Sequence, residues 1–127
     1  MFIYLQDLAY YMEGFSKEEI NLDTISGEFI PKNLLKIRIS SHCILVPTFD
    51  NVGIAFIYLE ELNDKRVSNK LLRRERNDQF LKFFHVTIND YGLYYDYSQF
   101  CHAKKMQIAK DWCDEHNIKS TAKAKPI

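Results

Sequence analysis

The chain has 127 residues, as many Lys and Arg as Asp and Glu, 46% apolar residues and 14% aromatic ones. That length fits one domain with a sizeable core, and that apolar share argues against a disordered body. A formal charge of zero argues against long-range steering toward a polyanion.

Residues 3–15 read as an amphipathic helix. Tyr4, Leu5, Leu8, Tyr11, Met12 and Phe15 recur at three- and four-residue spacing, with Gln6, Asp7 and Glu13 opposite. Ser16 followed by Glu19 has the pattern of a capping box, Glu18 and Glu19 suit the positive end of a helix dipole, and Gly27 is a stop signal. A second helix is expected over about 17–26. Pro31 then breaks the chain. Leu34 to Ile39 and Cys43 to Val46 read as short strands, joined at Ser40, Ser41 and His42. Asp50 and Asn51 before Gly53 signal a turn, and Gly53 to Leu59 reads as a third, central strand, with helix as the competing reading.

Ser68 is placed as the cap of a helix over about 69–82, although Leu71, Leu72, Phe80 and Leu81 form no clean stripe. Phe84 to Ile88 alternates as a strand, Asn89-Asp90-Tyr91-Gly92 reads as a hairpin turn, and Leu93 to Tyr97 as its partner strand. Ser98 is placed as the cap of a last helix over about 99–116 that ends at Asn117. The expected order is ααβββαββα. It is an α+β fold, with one domain over 1–118 and a small antiparallel sheet of about five strands packed against helices. Residues 119–127 are small, polar and basic and are expected to be a disordered tail.

Cys43, Cys101 and Cys113 are an odd, widely spaced set, which speaks for free thiols in a reducing compartment. The first residues lack a basic leader pattern. The longest apolar run, Val52 to Leu59, is far short of the roughly 20 residues of a membrane helix. A soluble cytoplasmic protein is expected.

Catalytic patterns are weak. Cys113 and His116 form a C-x-x-H pair on one helix face, but Cys101 and His102 lie about 18 Å away along that helix, too far to share one metal. His42-Cys43 and Cys101-His102 are sequence neighbours, whose side chains diverge on a strand or a helix. His85-Val86-Thr87 supplies a single H-x-T, where two-histidine phosphoesterases use two. The four glycines build no phosphate loop. No catalytic residue, cofactor or metal is assigned, and the chain is not expected to be an enzyme.

Charge is segregated although its sum is zero. Residues 1–31 hold six acids against Lys17, and residues 65–76 hold six bases against Glu75. Lys17 to Asp23, the reading helix of any helix-turn-helix here, is net acidic and would be repelled by phosphate. Tyr91, Tyr94, Tyr95 and Tyr97 crowd one segment, and tyrosine is enriched at interfaces. The expectation is a protein-binding module, most simply an inhibitor, antitoxin or immunity-type protein that neutralises a toxin or effector. Glu13, Glu18, Glu19, Asp23, Arg73, Arg74, Arg76, Tyr91 and Tyr94 are the expected partner-binding residues. The alternative is a nucleic-acid-binding accessory protein that uses the basic segment 65–76.

Overall fold

The computed structural model describes residues 1–35, 42–71, 73–75 and 77–126. Its chain divides into two compact units, Met1–Phe49 with Lys105–Ile127, and Asp50–Lys104.

The first unit holds both sheets. β1 (Phe2–Tyr4) runs directly into α1 (Leu5–Met12), which buries Leu5, Leu8 and Met12. The amphipathic stripe expected over 3–15 is therefore real but shorter, because its first residues are strand. Glu13 ends α1, and Gly14 follows at φ +72°.

The second expected helix, over about 17–26, is instead a strand hairpin. β2 (Ile20–Asp23) buries Ile20 and Leu22 and leaves Asn21 and Asp23 half-buried, a period of two. The Ser16 hydroxyl accepts from the Glu18 N–H in a local turn and caps no helix. The Asp23 carboxylate then closes the hairpin turn. It accepts from the N–H groups of Ile25 at 2.8 Å and Ser26 at 3.2 Å, and Gly27 at φ +79° supplies the left-handed step. β3 (Phe29–Pro31) returns antiparallel, with Leu22 opposite Phe29. A short helix, α2 (Lys32–Leu35), follows. The strand expected over Leu34 to Ile39 thus begins in helix, and its remainder, with Ser40 and Ser41, lies outside the described residues. β4 (Cys43–Leu45) forms where a strand is expected and pairs antiparallel with the other edge of β2.

Five described strands do occur, but not in one antiparallel sheet. Order β3-β2-β4 makes one sheet, and β1 pairs in parallel with β5 (Lys119–Thr121) in another. Residues 119–121, placed in a disordered tail from their composition, are ordered by that pairing. The class remains a mixture of helix and strand, with helix dominant.

The second unit is helical. α3 (Asn51–Leu62) replaces the expected central strand. The Asp50 carboxylate accepts from the Gly53 N–H at 2.9 Å, an N-cap that starts the helix two residues earlier than a strand would begin. Ile54, Ala55, Phe56, Tyr58 and Leu59 are all buried, so the run is apolar because the helix is covered on several sides. α4 (Lys65–Leu71) starts after Asp64, which accepts from the Arg66 N–H at 2.9 Å; Ser68 lies inside it and caps nothing.

α5 (Asp78–Asp90) overturns the expected strand over 84–88. Phe80, Phe84 and Ile88 are spaced one helical turn apart and are fully buried. The Asn77 side chain caps this helix by accepting from the Phe80 N–H. The expected hairpin turn is a turn between helices. Gly92 takes φ +70°, the Leu93 N–H reaches back to Ile88 O at 2.8 Å, and Gly92 N–H bonds Asn89 O at 3.0 Å. That is a Schellman end. Leu93 to Tyr97 therefore opens α6 (Tyr94–Glu115), with Ser98 inside the helix. Asn117 ends α6 as expected, at φ 57° with the Ile118 N–H on Cys113 O. Among the described residues, no helix is long and apolar enough to cross a membrane.

Candidate interaction surfaces

The segregation of charge along the chain dissolves within each unit. The first unit carries nine acids and nine bases, and the second eight of each. The expected acidic residues of the first unit are mostly engaged at home. Glu13 Oε1 accepts from Lys105 Nζ at 2.7 Å, and Glu19 pairs with Lys32 at 3.3 Å. Asp23 is spent on its own turn, whose backbone N–H groups, Ile25 first, hold its carboxyl below the usual range. Glu18 is exposed.

Aromatic rings gather where these acids lie. Tyr4, Asp7 and Tyr11 recur at three and four residues from the end of β1 along α1, on one side of the helix. Tyr11 stacks on Phe29 with centroids 4.4 Å apart and meets Tyr10 edge-on at 5.3 Å. Phe2 and Tyr4 lie 5.1 Å apart, and Phe15 lies 5.8 Å from Tyr10. The rings of Phe2, Tyr4, Tyr10, Tyr11 and Phe29 line a groove of about 430 Å³, together with Asp7, Glu28 and Lys125. Lys125 Nζ stands 3.4 Å from Asp7 Oδ2 and 6.0 Å from the Tyr4 centroid. A neighbouring groove of about 560 Å³, lined by Lys17, Glu18, Glu19 and Leu45–Thr48, shares Tyr11 with the first.

The sequence did not single out Tyr4, Asp7 or Phe29 as partner-binding. The signal was present in the density of rings at 2–15, but Phe29 and Lys125 reach them only through the β2–β3 hairpin and the β1–β5 pairing.

The second unit holds the other expected residues. Arg66 and Lys70 lie over the Tyr91 ring at 5.5 and 5.1 Å, and the Arg74 guanidinium sits over Phe83 at 3.6 Å. Arg66 and Lys70 lie one helical turn apart on α4, and Arg74 lies in the turn after it. Arg66 also pairs with Asp64 at 2.8 Å. Arg73 is exposed, and Arg76 lies outside the described residues. Tyr94 and Tyr95 open α6 and are 59% and 75% exposed, whereas Tyr97 is buried. Tyr91 is thus brought together with Arg66 and Lys70 of the basic segment.

The candidate reactive groups lead elsewhere. His85 stands on α5, so Thr87 points to another side of the helix and the H-x-T strand pattern is lost. Partial desolvation beside the Phe84 and Tyr97 rings pulls the His85 imidazole below its ordinary pKa, although the residue is exposed. Cys113 is fully buried, and burial pushes its thiol up, opposite to the shift a thiolate nucleophile needs. His116 Nδ1 lies 2.8 Å from the Trp112 carbonyl, with its ring 4.6 Å from the indole. Among the described residues, no three His, Cys, Asp or Glu side chains converge as a metal-binding set.

No protein-family model, curated protein sequence or solved structure matches this chain.

Proposed function

We propose that the chain is a non-enzymatic module that binds another protein, of the type that neutralises a toxin or effector by direct contact. The observation that carries this reading is the exposed aromatic cluster of the first unit. Phe2, Tyr10 and Phe15 are 52%, 59% and 71% exposed beside the ring-lined groove. Aromatic residues left in water together are costly unless a partner covers them, and they are the residues interfaces favour. A basic partner such as a nuclease suits the carboxylates of Asp7, Glu18 and Glu28 around these rings. The test is capture from native host lysate on the tagged full chain, with nuclease treatment and a high-salt wash. One protein retained at about one-to-one, and lost with Tyr10→Ser and Phe15→Ser together, supports the module. Retention of nothing, or of the same protein by that double variant, counts against it.

A second reading is nucleic-acid binding by the α4–α5 face. Lys70, Arg73 and Arg74 form no ion pair among the described residues, and Arg74 stacked on Phe83 keeps its edges open to phosphate. This reading predicts retained nucleic acid that is released by salt. Replacing all three cations by Ala should lower the salt slope by about three.

A further inference from the structure

We propose that the groove between β1, α1 and the β2–β3 turn is a seat for a lysine side chain of the partner protein, and that Lys125 of the same chain fills that seat in the partner's absence. The inference rests on the binding-module reading and names what the module recognises.

The groove has the two properties an ammonium needs. Its walls are the faces and edges of Tyr4, Tyr10, Tyr11 and Phe29, and ring faces attract a cation through their quadrupole. Asp7 adds a carboxylate at the rim, half-buried at 37% side-chain exposure, where its charge is less screened than in open water. An ammonium is already there. Lys125 has no helix or strand of its own, yet its Nζ is within reach of both Asp7 and Tyr4.

The hold on Lys125 is loose. Its Nζ–carboxylate distance of 3.4 Å is long for a charge-assisted hydrogen bond, and 6.0 Å to the ring centroid is the outer limit of cation–π attraction. Its side chain is 58% exposed. A lysine presented on a folded partner enters with its backbone already fixed and reaches deeper into the rings. It therefore displaces a tail residue that pays ordering entropy for a poor fit. The tail is then a built-in competitor that lowers affinity for weakly presented lysines.

The experiment follows aromatic NMR resonances of the full-length chain while acetyl-Gly-Lys-Gly-amide is added. The same peptide with norleucine for lysine keeps the chain length and removes the charge. The lysine peptide should shift Tyr4, Tyr10 and Tyr11, and the norleucine peptide should not. Lys125→Ala should tighten lysine-peptide binding about threefold, the size of one exposed ion pair, and Asp7→Asn should weaken it by a similar factor. Equal shifts from both peptides overturn the proposal, as does an affinity unchanged in Asp7→Asn. Absence of groove shifts in Lys125→Ala overturns it too, since the competitor is then gone. A captured partner that binds wild type and Asp7→Asn with the same affinity overturns the lysine seat and leaves the module reading standing. Lysine-specific shifts without any captured partner support the seat and count against the module.

Discussion

Tyr58 Oη donates a hydrogen bond to Asp96 Oδ2 at 2.7 Å, joining the buried middle of α3 to the first turn of α6. The phenol is 3% exposed and meets Phe84, Tyr97 and Phe100 with its ring. Tyr58→Phe keeps the ring and removes the bond. Asp96 is exposed and regains water, so the cost should be about 1 kcal/mol, a fall of a few degrees in Tm. Tyr58→Ala opens a cavity and should cost about 3–5 kcal/mol. Thermal unfolding of both variants checks this. A Phe variant as unstable as the Ala variant would mean the hydroxyl, not the ring, carries the site.

The same contact sets an alkaline limit. Burial first, then the Asp96 hydrogen bond and charge, raise the Tyr58 phenol well above its ordinary 10.0. Burial, then Cys101, raises Tyr97 in the same direction. The folded state keeps these protons after the unfolded chain has released them. Stability contributed by this difference is complete below pH 10 and is lost as pH rises above it. Urea midpoints measured between pH 8 and about 11.5 should fall at the alkaline end, and less steeply for Tyr58→Phe. A parallel fall in wild type and variant would assign the loss to other groups.

Phe84 and Ile88 explain why part of this fold was illegible in the sequence. Residues four apart share a face in a strand and lie one turn apart in a helix, so the pair alone fits both. Val86 breaks the tie, since a strand would bury it with them, yet it is 61% exposed. Phe80, one turn before, belongs to the same helical row. The run at 52–59 misled for a related reason, because a helix covered on several sides has no stripe to read. Where local chemistry decides, as in the α1 stripe of Leu5, Leu8 and Met12, or Asn117 at the end of α6, the sequence was sufficient. The interaction surfaces were half legible. The acids near the N-terminus are local, but Lys105 and Lys125 come from positions 92 and 118 residues away. No pattern along the chain announces those partners.

Gly92 and Asn117 end helices in the same way and predict opposite responses. Both take positive φ, 70° and 57°, and both are followed by an N–H that reaches back five residues. A Cβ at Gly92 would meet nothing within 4 Å, so Gly92→Ala pays for backbone conformation alone, about 1 kcal/mol. Asn117→Gly removes that strain and should be neutral or stabilising by about a few tenths of a kcal/mol. Denaturant titration of the two variants resolves the contrast. A loss at both positions would point to the Asn117 side chain and not to its φ.

Two ion pairs of the first unit test how much burial matters to charge in this chain. Glu13 and Lys105 are 25% and 16% exposed at 2.7 Å, and Lys105 also lies 5.3 Å from the Phe49 centroid. Glu19 and Lys32 are 56% and 68% exposed at 3.3 Å. The first pair is short and poorly hydrated, so each charge depends on the other; the second competes with water at every moment. Double-mutant cycles with Glu13→Gln and Lys105→Met should give a coupling of about 1–2 kcal/mol, against about 0–0.5 kcal/mol for Glu19→Gln and Lys32→Met. In 1 M salt the second coupling should vanish and the first should largely survive, since screening acts on exposed charge. Equal couplings would mean that Lys105 is held by its methylene stem against Phe49. The loss in Lys105→Ala would then be one of packing, and Lys105→Met would recover it.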